Sequence, residues 1–103
     1  MIHLTHETQI WLLTLPIDFR KQTDGLISLC QNQYAHNPRS GALFVFINKG
    51  RTMIRILCYE NNGYWLATKR LSRGSFQQFP KNNPGGFSKS LAEDLKNILN
   101  PRV

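Results

Sequence analysis

The 103-residue chain has few acids, few cysteines and no long apolar run. Six Asp and Glu in all leave little material for the convergent carboxylates of two-metal phosphoryl chemistry. Asp18 stands where a helix N-cap is expected, and Asp24 lies six positions on, so the two would point in different directions from a helix. Glu93 and Asp94 are neighbours on a C-terminal helix and read as solvated. Cys30 and Cys58 show no C-x-x-C or other metal spacing. Parity allows one disulfide, but their apolar neighbours point to two buried free thiols in a reducing cytosol. No stretch approaches the ~20 apolar residues of a membrane span. The opening Met-Ile-His-Leu-Thr-His-Glu lacks the basic start and apolar core of a signal peptide, so a cytoplasmic protein without membrane contact is expected.

Catalytic and metal motifs are scarce as well. His3 and His6 stand near Glu7 without further ligands, and His36, beside a turn, reads as solvent-facing. Neither cysteine neighbours a histidine, no Ser-His-Asp signature occurs, and Gly85-Gly86 is too short to cradle a phosphate. No catalytic residue, metal or cofactor is expected.

What is present is 41% hydrophobic and 11% aromatic sequence with 18% charge, which suits one small folded domain over residues 1–103. Gln9–Leu13 reads as a strand. After Asp18, Phe19, Thr23, Leu26, Ile27, Cys30 and Tyr34 recur at helical spacing, predicting one long helix with Gly25 inside it. Ala42–Ile47, Met53–Glu60 and Tyr64–Leu71 are β-branched and aromatic, separated by Asn48-Lys49-Gly50-Arg51 and Asn61-Asn62-Gly63. They predict an antiparallel meander. Residues 72–88 read as a flexible loop, and Ser90 with Glu93 matches a capping box for a short helix over residues 90–100. The expected fold class is α+β: a small antiparallel meander plus an N-terminal strand, one long helix packed on a face, and a short C-terminal helix.

Side chains alternate along strands, so pairing Tyr59 with Tyr64 and Phe46 with Met53 sorts the meander into two faces. One is nearly all apolar (Leu43, Val45, Ile47, Ile54, Ile56, Cys58) and is the expected seat of the first helix. The other mixes Phe44, Phe46, Leu57, Tyr59, Tyr64 and Leu66 with Met53, Arg55 and Arg70. That mixture suits base stacking with guanidinium groups on phosphates. It equally suits a core face under the C-terminal helix, with arginine stems packed and their heads turned to water.

Thirteen Lys and Arg give a net charge of +7, and its placement is uneven. Residues 1–48 and 90–103 are each neutral, whereas 49–89 hold eight Lys and Arg against Glu60 alone. A basic segment confined in this way points to an anionic polymer or an acidic protein surface. The candidate phosphate contacts are Lys49, Arg51, Arg55, Lys69, Arg70 and Arg73, with Phe44 and Tyr64 as stacking candidates. Phe76, Phe79 and Phe87, set among Gln, Asn and Lys81, extend the candidate surface.

Ile10-Trp11-Leu12, then Ile17-Asp18-Phe19-Arg20-Lys21 and Asp24-Gly25-Leu26, resemble the opening of the small accessory protein TnpB encoded by bacterial insertion sequences of the IS-66 type. The likeness continues through Pro38–Phe46, Ile54–Leu57, Gly63–Leu66 and Lys69-Arg70-Leu71 with Gly74 and Phe76, covering roughly residues 9–80. It departs at Cys58-Tyr59-Glu60, where the family commonly has two tryptophans and an aspartate, and at Phe79-Pro80. The resemblance implies a non-catalytic accessory factor of DNA transposition, with the transposase of the same element and DNA as partners. Direct DNA contact and docking on an acidic transposase surface without DNA are both compatible with these residues. A small nuclease is the third and least supported reading.

Overall fold

A computed structural model of the chain describes residues 4–81 and 86–101. In chain order these form β1 (Ile10–Leu13), α1 (Thr23–Ser28), β2 (Leu43–Ile47), β3 (Met53–Glu60), β4 (Gly63–Arg70), β5 (Phe87–Ser90) and α2 (Ala92–Leu99), with a wider π-helical turn over Leu29–Gln33 continuing α1. The α+β class holds, built on a five-stranded sheet of order β4-β3-β2-β1-β5.

The meander forms where alternation and turn chemistry agree. Asn61 and Asn62 take left-handed φ values of 51° and 68°, a backbone that asparagine tolerates and that matches the twist of a two-residue hairpin. They join β3 to β4 in continuous register from Glu60↔Gly63 to Met53↔Arg70. Between β2 and β3 the register differs by two residues from the sequence expectation, with Phe44 opposite Leu57 and Phe46 opposite Arg55. An even slip leaves every side chain on its expected face. The sheet is not a pure meander, however: β1 lies parallel to β2 and antiparallel to β5. Phe87–Ser90, expected as loop, is thus an edge strand. The remainder of that expected loop falls partly on residues 82–85, outside the described residues.

The helices correct two expectations. The expected long helix does not form: α1 is a six-residue helix that starts only at Thr23 and passes into the π-helical turn, because Asp18 instead closes a local turn by accepting hydrogen bonds from the Arg20 amide and guanidinium. The side chain of Lys21, not the sheet, lies closest to Gly25. In α2, Leu91 is the cap residue without a side-chain hydrogen bond, so the Ser90–Glu93 capping box does not form, and Leu91 is exposed.

The helices also occupy the faces opposite to those expected. Leu43, Val45, Ile47, Ile54 and Ile56 pack with Leu95 and Ile98 of α2 and with Phe76 and Phe79. Phe44, Phe46, Leu57 and Phe87 pack with Leu26 and Cys30 of the α1 segment. The connection from β1 through α1 to the parallel β2 has a preferred hand, so topology rather than relative apolarity chooses the face that receives α1. The eight-residue α2 is too small to cover its face alone, and the two phenylalanines complete the cover.

Both thiols are free and buried, as expected. Burial pushes Cys30 up to about 12 and raises Cys58, where Glu60 adds to the effect. The thiolate is the reactive form, so the native protein should resist a thiol-disulfide reagent at mildly alkaline pH and titrate two thiols after denaturation. Rapid labelling of the native chain would contradict that burial.

Candidate nucleic-acid interface

The sheet register gathers cations at one end of the molecule. Lys49 sits in the β2–β3 turn, Arg70 ends β4 opposite Met53, and the Leu71 amide donates to Thr52 O at 2.9 Å, which ties the start of the Arg73 loop to that turn. Ile17 bridges Asn48, and Arg55 donates from one terminal nitrogen to the carbonyls of Phe19 and Lys21, both at 2.8 Å. These contacts bring Arg20 and Lys21 to the same end. Phe19, Arg20, Lys49, Met53 and Arg55 line an open groove of about 520 Å³ there, with Asp18 as its acid. Arg20 holds Asp18 down to about 2 through side-chain and backbone hydrogen bonds, and Asp18 in turn raises Arg20. Arg20 is thus paired with Asp18 while its side chain stays exposed.

The eight candidate residues divide by what their side chains already hold. Lys49, Arg70 and Arg73 are exposed, and Arg70 and Arg73 make no hydrogen bond or ion pair among the described residues. Arg51 is committed: its guanidinium donates to Phe79 O at 2.6 Å and Phe76 O at 3.3 Å, anchoring the segment that fills the α2 face. Arg55 is committed to Phe19 and Lys21, stacks 4.6 Å from the Phe19 ring and donates to Thr68 Oγ1 at 3.3 Å. Lys69 donates to Leu99 O and Asn100 Oδ1 and so holds the C-terminus of α2, where carbonyls lack helical partners. These three head groups already satisfy backbone carbonyls, which sets them apart from Lys49, Arg70 and Arg73.

Of the two stacking candidates, Phe44 is corrected by its burial. Phe44 is 1% exposed, edge-on to Phe87 and His36 at 5.5 and 5.8 Å between ring centres. Tyr64 is partly buried and packs edge-on against Tyr59. His36 is not solvent-facing but lies among Trp11, Phe44 and Phe87. Phe76, Phe79 and Phe87 are all buried, so the expected aromatic loop is core. Sequence reasoning missed Arg20 and Lys21 because their segment is neutral in sum; the adjacent Arg-Lys pair was the available signal. His6 lies 3.8 Å from Glu7 on the surface, while His3 lies outside the described residues. Among the described residues no three His, Cys, Asp or Glu come together as a metal site, and no helix is long and apolar enough to cross a membrane.

A family model described as IS66 Orf2 like protein matches residues 8–97. The chain belongs to the IS66 Orf2-like family. Two uncharacterised proteins of Sinorhizobium fredii, y4jC and y4hO, are 32% and 29% identical to it over 93 residues. Each alignment covers 90% of this chain, and 79% and 80% of those relatives. No solved structure matches. The family makes the chain an accessory protein of IS66-type insertion sequences, and its match includes β5 and most of α2.

Proposed function

We propose that this IS66 Orf2-like protein is a non-catalytic transposition factor that binds DNA through phosphate contacts from Lys49, Arg70 and Arg73, with Lys21 beside them. One observation carries this reading: the register collects exposed cations from a turn, a strand end and two loops at one end of the sheet, where Asp18 is already paired with Arg20. Phosphate contacts position a protein on DNA without requiring sequence readout, and no exposed aromatic platform is needed for them.

The test is the salt dependence of duplex binding. Substituting Lys49, Arg70 and Arg73 together by alanine should lower the salt slope by about three units, close to one per lost phosphate contact. Absence of duplex binding at low salt, or an unchanged slope, would refute the reading. Capture of the purified transposase in nuclease-treated buffer, together with failure to bind duplex, would instead favour docking on an acidic protein surface.

A further inference from the structure

We propose that two copies of this chain pair edge to edge through β4, forming one continuous sheet about a two-fold axis at Ala67. The inference begins with backbone parity, and it shares Arg70 with the DNA reading. The Leu71 amide points inward to Thr52 O, so the odd-numbered β4 residues bond to β3. Tyr64, Leu66, Thr68 and Arg70 therefore turn their N–H and C=O groups to the open edge, which no described strand occupies. This edge is eight residues long, keeps continuous register and contains no proline. Long regular edges are normally blunted by an outward lysine. Here Lys69 is drawn away to Leu99 O and Asn100 Oδ1 at the end of α2.

The occupant follows from the order of side chains. β4 begins with aromatics, Tyr64 and the 49%-exposed Trp65, and ends with cations, Lys69 and Arg70. Antiparallel pairing centred on Ala67 places Tyr64 opposite the partner's Arg70 on one face and Trp65 opposite the partner's Lys69 on the other. Arg70 then meets an aromatic ring while Lys69 stays with Leu99 O and Asn100 Oδ1, and no like charges stand directly opposed. Moving the axis to Leu66 or Thr68 keeps the hydrogen-bond parity but breaks the pairing of Tyr64 with the second copy's Arg70. A second copy thus complements this edge in one register. The overall charge of +7 opposes association at long range, so added salt should strengthen the dimer while it weakens binding to a polyanion.

Sedimentation equilibrium of the full chain tests the proposal. The wild type should dimerise, more tightly at higher salt. Ala67→Lys, which sets two ammonium groups side by side on the axis, should weaken dimerisation about tenfold or more with an unchanged circular dichroism spectrum, since Ala67 is exposed. Thr68→Pro, which removes an outward N–H, should do the same, whereas Thr68→Val should remain dimeric. Ala67→Cys should yield a disulfide-linked dimer on mild oxidation, while the buried Cys30 and Cys58 leave the wild type uncrosslinked. A wild type that stays monomeric up to its solubility limit, or a dimer indifferent to Ala67→Lys, would overturn the proposal.

Discussion

Replacing Phe44 by alanine should cost about 3–5 kcal/mol of folding stability, the usual range for deleting a buried phenylalanine ring. The ring sits on β2, the strand whose five residues are all buried, and meets Phe87, His36 and the α1 side of the core. Truncation removes apolar area and opens a cavity among rings whose edge-on packing leaves little freedom to collapse. For a domain of this size the loss corresponds to a fall in melting temperature of about 12 °C or more. Thermal and urea denaturation measure it. The salt slope of DNA binding by the folded variant should not move. A loss below about 1 kcal/mol accompanied by weaker DNA binding would return Phe44 to the role of a stacking surface.

The second large effect is expected at Arg55. Its guanidinium is the shared donor for Phe19 O and Lys21 O, and its plane lies over the Phe19 ring. Arg55→Met keeps the stem but leaves those carbonyls without their donor, at a cost of about 2–3 kcal/mol. Arg55→Lys should recover little of it, because a compact ammonium on a flexible stem does not reproduce the planar donor and its ring contact. Amide hydrogen exchange should rise locally across residues 18–22, the segment the guanidinium ties down. If Arg55 were instead a phosphate contact, Arg55→Met would lower the salt slope by about one unit with stability unchanged.

Much of the sheet was legible because its signals are local. The alternation in Met53–Glu60 and the Asn61-Asn62 pair specify both the β3 strand and the hairpin register, each over a few residues. The first helix was overextended for an equally local reason: Phe19 and Thr23 fit helical spacing, yet Asp18 has a nearer partner in the Arg20 amide and guanidinium. β5 carried no readable pattern, since Phe-Ser-Lys-Ser becomes a strand only by pairing with β1 across more than 70 residues of chain. The concentration of charge in the basic segment is legible in the sequence, whereas the internal contacts of its side chains are not. Arg51, Arg55 and Lys69 look like Arg70 and Arg73 in sequence and differ only in having carbonyls within reach.

The amino-acid order by itself therefore determines the class of domain, the two faces of the meander, the thinness of its catalytic inventory and the confinement of net charge to residues 49–89. These properties follow from periodicity, turn chemistry and composition, which act between near neighbours. Only the tertiary structure decides which helix covers which face, that the phenylalanines of the basic loop are core, and which cations remain open to a partner. Those outcomes depend on long-range strand pairing and on competition for unpaired backbone carbonyls. A cation that satisfies a carbonyl inside the fold has already exchanged water for protein there, and a phosphate must compete with that carbonyl for it.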